Sequence, residues 1–217
     1  MATNQRSVRL MQTVEYAGPP LPLRSHPWTD AVENSQFRYY DLVRAPELIR
    51  TALEDLLPWQ HTAAIEHFYA LLEWINARTG LLESNDCEFT GPTPNPYPNV
   101  AATLVCTGRI MLLFRDLACN LPPAAMPTLA QQLHLALAPA DPSFVQGMVS
   151  TTIVPVRFLA VPSSTQLGTQ LMISFWAWGD SDEETFANLD RTLQNLTIAL
   201  RMVTELYIAL APTSAAT

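Results

Sequence analysis

His61, Glu66 and His67 lie close together, and imidazoles beside a carboxylate are the groups that hold zinc and activate a bound water. Their spacing is wrong for that chemistry. H-E-x-x-H and its inverse H-x-x-E-H set two histidines four residues apart on one helical face. Here they are six apart, about 240° around a helix of 3.6 residues per turn, so one ion does not reach both. The expectation is a partly exposed His61 near a helix start, a His67 at a helix–helix contact, and no bound metal. No cofactor is implied.

The run Glu83-Ser84-Asn85-Asp86-Cys87-Glu88 could offer carboxylate oxygens to a hard cation, or Cys87 as a nucleophile. It lacks the EF-hand spacing and its glycine. Acids flanking a thiol raise its pKa rather than lowering it. The run reads as a solvated turn.

Arginine is the other candidate chemistry. Arg109 and Arg115, with Asp116 and Asn120, fall on an apolar stretch read as a helix over about 109–120, where a guanidinium can clamp a carboxylate or phosphate. The plainer expectation, an arginine satisfied by a local acid, is preferred. Trp176 and Trp178 share one face of an expected strand. Two same-face tryptophans are usually core, but on an open sheet face they anchor a ligand or partner, and with Arg157 they form the candidate binding set. Pro19-Pro20-Leu21-Pro22-Leu23-Arg24 matches P-x-x-P-x-R and reads as a stiff connector.

Composition excludes more than it selects. All 12 basic residues are arginine, so lysine Schiff-base, pyridoxal-phosphate, Ser-Lys and P-loop chemistries have no lysine to use. Glycines 18, 80, 91, 108, 147, 168 and 179 make neither G-x-G-x-x-G nor G-x-S-x-G. A formal net charge of −8 with scattered arginines argues against nucleic acid. No apolar run approaches the ~18 residues of a membrane span, and the first residues carry no apolar signal core. Cysteines 87, 106 and 119 form no C-x-x-C and fit reduced thiols in a cytoplasmic protein.

The elements that would position these residues follow from periodicity. A half-buried strand is expected over 6–16 and a second over 36–43. A helical hairpin is expected from helices over 46–57 and 59–79, the first entered through Pro46 and ended by Pro58, the second ended near Gly80. The segment 91–98, with proline at every second position, cannot be helix or central strand, and it marks the one candidate division in an otherwise single domain 1–217. A short helix over 127–138 and an antiparallel pair over 148–161 and 169–179 follow, with Pro155 at an edge or bulge. Ser181 to Glu184 reads as a capping box. Beyond it Phe186, Leu189, Leu193, Leu196, Leu200, Val203, Tyr207 and Leu210 recur at a 3.5 period. That order of elements is α+β: a small antiparallel sheet packed with a helical hairpin and a long C-terminal helix.

The seam of the 182–210 helix must be buried, by the chain's own helices or by a second copy in a homodimer; the first is preferred. Between Leu117 and Gly179 the only charged residues are Asp141 and Arg157, so that region is core or faces another chain. The reading is a non-catalytic, acidic, lysine-free cytoplasmic protein that works by binding a protein partner, as an inhibitor, immunity-type protein or adaptor. The alternative is a small-molecule-binding or hydrolytic enzyme with a pocket between sheet and helices.

Overall fold

A computed structural model describes residues 11–13, 24–26, 40–161 and 164–210, with side chains for 40–156 and 167–209. Its centre is an antiparallel sheet of β3 (Leu82–Pro94), β4 (Leu104–Phe114), β6 (Ser164–Gly179) and β5 (Gly147–Val161), in the spatial order β5-β6-β4-β3. Two short strands, β1 (Met11–Thr13) and β2 (Arg24–His26), run parallel to β5 on its outer edge. Helices α1 (Leu48–Thr51), α2 (Ala63–Ile75), α3 (Ala125–Leu137) and α4 (Asp182–Leu210) complete an α+β fold. None of the described helices is long and apolar enough to cross a membrane.

The C-terminal helix forms where its pattern places it. Ser181 Oγ accepts from the Glu184 N–H at 3.2 Å, while the Glu184 carboxylate takes the Asp180 N–H at 2.9 Å, one residue outside the expected capping box. Phe186, Leu189, Leu193, Leu196, Leu200 and Val203 are all buried. The seam is covered from within the chain, where α4 packs on β6, α2 and α3. The Leu210 side chain lies outside the described residues.

Pro155 shows how an awkward residue is accommodated. It pairs with Thr169 of β6 on one side. On the other side the described pairings are β1 as far as Thr151 and β2 from Val156, and Pro155 lies between them.

Several expectations are corrected. The stretch read as a helix over 109–120 is strand β4 followed by a 3-10 turn, Leu117–Asn120, whose start is capped by Asp116 accepting from the Ala118 N–H at 3.0 Å. β4 is a central strand whose Ile110–Phe114 end is buried on both faces, and such a run has no alternation to tell it from a buried helix. The polar run 83–88, read as a turn, lies inside edge strand β3, with Ser84 and Asn85 buried at a register shift and Glu88 exposed. Pro92 and Pro94 sit in the same edge strand beside a register shift between Thr90 and Thr93, and residues 95–103 carry the chain back to β4. The hairpin's first arm shrinks to α1 and a 3-10 turn at Leu57–Trp59. Residues 40–43 are no strand, because Asp41 accepts from the Val43 and Arg44 N–H groups and turns the chain. The rest of the expected 36–43 strand, the remainder of 6–16 and residues 19–23 of the proline connector lie outside the described residues.

The helices cover one face of the sheet. Phe68, Ile110, Leu112, Leu171, Ile173, Phe175, Leu189 and Leu193, all fully buried, fill the layer between sheet and helices. The other face belongs to Trp176, Arg109 and their neighbours.

Candidate functional site on the open sheet face

Strand register assigns this face. Across β5, β6 and β4, Met148, Trp176 and Thr107 form one row, and Ser150, Ser174 and Arg109 the next, continued by Glu88 on β3. A third row holds Thr152, Met172, Met111 and Asp86. Ser150, Thr152 and Met111 are buried, whereas Met148, Met172, Ser174, Trp176 and Arg109 stay half-exposed. At the far end Asn85 donates from its amide to the Gln170 carbonyl oxygen across β4, beside a small apolar cluster of Leu113, Val156, Leu117 and Leu121.

Trp176 and Trp178 do share this face, but they are not equivalent. Trp178 is 2% exposed, and its indole N–H donates to Asn95 Oδ1 at 3.3 Å. Trp176 is half-buried and donates to the Tyr97 hydroxyl at 3.1 Å. The Tyr97 ring meets Trp178 edge-on, 6.0 Å between centroids, and remains 40% exposed. The loop that carries Tyr97 is organised by Asn95. Its amide nitrogen donates to the carbonyls of Tyr97, Val100 and Ala102, and its oxygen accepts from the Tyr97 N–H at 3.0 Å. Asn95 and Tyr97 were missed from sequence. The available signal was an asparagine inside the proline run, a residue whose side chain folds back on its own backbone.

The arginines part company. Arg109 lies diagonally across the ladder from Trp176, with Nη2 2.6 Å from Glu88 and 3.5 Å from Asp86. Its Nε is buried without a hydrogen-bond partner. A guanidinium flanked by two carboxylates is already neutralised, which is the local-acid arrangement. Arg115 is elsewhere: it donates to the carbonyls of Ala77 at 2.7 Å and Leu82 at 3.1 Å, tying the end of α2 to β3, with Glu83 at 3.8 Å. It is a fastener of the fold and does not join the open face. Arg157 pairs with Leu167 through the backbone, and its side chain lies outside the described residues.

The other candidates do not assemble into reactive sites. His61 is exposed, while His67 contacts Asp190 of α4, whose second oxygen accepts from Gln194 at 2.8 Å. Among the described residues, no three His, Cys, Asp or Glu side chains gather as a metal-ligand set. The Cys87 thiol is pushed up to about 12, first by burial and then by Asp86 and Asp55, against a weaker opposing pull from Arg109. A thiol so placed holds its proton at neutral pH.

The open face therefore offers an aromatic pair of fixed orientation, two half-exposed methionines, hydroxyls, and a neutralised arginine beside an acidic edge. These are groups for contact. Comparison of the chain with protein-family models, with curated proteins and with solved structures finds no match in any of the three.

Proposed function

We propose that the protein is a non-catalytic, acidic protein that acts by binding another protein, as an inhibitor, immunity-type protein or adaptor does, through the open face centred on Trp176 and Tyr97. The observation that carries this reading is the Trp176–Tyr97 pair. Both rings are held by hydrogen bonds within the chain and both keep solvent-facing surface, so little side-chain freedom is lost when a partner covers them. Met148 stands beside Trp176 in the same row and Met172 lies two rows on, both offering adaptable apolar surface.

Glu88 and Asp86 line the β3 side of the same face against Arg109, and the whole chain carries a net charge of −8. Both features favour a basic partner that places an apolar or aromatic side chain against Trp176. The filled layer between sheet and helices supports a surface reading over an interlayer pocket. Three unpaired cysteines fit a reducing, cytoplasmic setting.

Affinity capture with the parent protein and with Trp176→Arg and Tyr97→Asp tests the reading. The expected result is a partner held by the parent and lost by both variants, whose melting temperatures stay near the parent's. Equal capture by all three proteins would place the contact elsewhere.

A further inference from the structure

Away from the open face, a pocket of about 280 Å³ opens between the C-terminal turn of α2, the link to β3 and the second half of α4. We propose that this pocket binds a small molecule made of an apolar body and a carboxylate.

The cation comes first. Arg201 lies on the pocket wall with its guanidinium carbon 5.4 Å from the centre of the Trp74 ring. Among the described residues it makes no ion pair, although Glu205 stands one helical turn further on in the same lining. Stacking on an aromatic face orients a guanidinium while leaving its edge N–H groups free for a planar carboxylate. Repulsion from Glu205 sets the carboxylate at the Trp74 end of the pocket.

The deeper wall selects the body. The carbonyls there are already used: Ala77 accepts from Gly80 N–H and Arg115, Leu82 accepts from Arg115, and Leu81 accepts from the Arg115 N–H. Ile75 and Leu82 are buried beneath, and Ile208 at the rim is 61% exposed although apolar. A wall of Ile75, Leu81 and Leu82 whose carbonyls at Ala77, Leu81 and Leu82 are occupied favours hydrocarbon, with Thr79 the polar side chain on that side, and an apolar body would cover Ile208 as it entered. The volume lies just below the roughly 300–1,000 Å³ of drug-sized sites, which limits the ligand to a single ring system or a short acyl chain.

Titration calorimetry with cinnamate and octanoate, each against its uncharged amide, tests the proposal on the intact chain. The carboxylates are expected to bind saturably at one site, with each amide weaker by about tenfold, the size of one charge-assisted contact. Arg201→Gln should remove that preference, and Ile208→Asp should abolish carboxylate binding. Both residues are exposed, so melting temperatures near the parent's are expected to show intact folds. No saturable binding of either carboxylate by the parent overturns the proposal, as does carboxylate binding unchanged in Arg201→Gln. The readout is independent of any protein partner on the open face.

Discussion

Gly108 stands directly opposite Phe175 across the β4–β6 ladder, and the Phe175 ring fills the space a side chain at position 108 would need. A Cβ there would overlap the ring's Cζ. Phe175 is wholly buried and meets Phe68 edge-on at 5.4 Å, so it joins the sheet to α2 and has little room to retreat. Gly108→Ala should therefore destabilise by about 1–3 kcal/mol, the cost of overpacking a filled core. Denaturant melts of parent and variant measure it; a change within error would mean that the ring can swing aside.

Leu196 sits in the middle of the α4 seam and is fully buried. Leu196→Ala should cost about 2–5 kcal/mol through lost burial and the cavity left behind. Val203→Arg, at a position 3% exposed, should cost more, because it forces a charge into an apolar layer. Since the seam is covered by the same chain, light scattering should give parent and Leu196→Ala the same mass. A mass that falls with the mutation would instead mark the seam as a contact between copies.

The apolar stretches around Cys106 and Cys119 in the sequence predict that both are shielded and that at most Cys87 reacts quickly. The fold changes that order. Cys119 is exposed on the 3-10 turn, while Cys106 is buried at the helix-facing side of β4. Burial pushes the Cys106 thiol up to about 12, with Asp182 adding to the effect, and Cys87 is raised similarly. Mass spectrometry after brief treatment with iodoacetamide at neutral pH should find Cys119 labelled first, with Cys87 and Cys106 labelled only on unfolding. Early labelling of Cys106 would contradict the packing described.

Two surface carboxylates should contribute to acid sensitivity. Glu66 accepts from both terminal nitrogens of Arg50 at 2.8 Å, and this contact holds its carboxyl below the usual 4.5. Asp141, paired with Arg191, lies below its usual 3.8 for the same reason. A carboxyl lowered in the folded state stabilises at pH above its ordinary value, and that contribution is lost as the pH falls through the folded value. Glu66→Gln and Asp141→Asn should each lower the melting temperature slightly at neutral pH, and by progressively less as the pH falls below both ordinary values toward about pH 2. Equal losses at both pH values would mean that packing, and not ionisation, carries the effect.

The long helix, its cap and its buried seam were legible because a 3.5-residue apolar period and a Ser-Asp-Glu-Glu start are local signals, fixed by neighbours along the chain. The β5–β6 pair and α3 were legible for the same reason. What the sequence could not settle was β4. Its Ile110 to Phe114 end is buried on both faces in the centre of the sheet, between β6 and β3, and an apolar run without alternation looks alike as helix or strand. That misreading placed Arg109 and Arg115 on one helix. In the folded chain Arg109 belongs to the open face beside Glu88, and Arg115 fastens the end of α2. The Trp176–Tyr97 and Trp178–Asn95 hydrogen bonds join residues about eighty positions apart, and only the antiparallel return of β4 and β6 brings them together. Sequence set the identity and parity of the tryptophans; tertiary structure decided which one stays open to solvent.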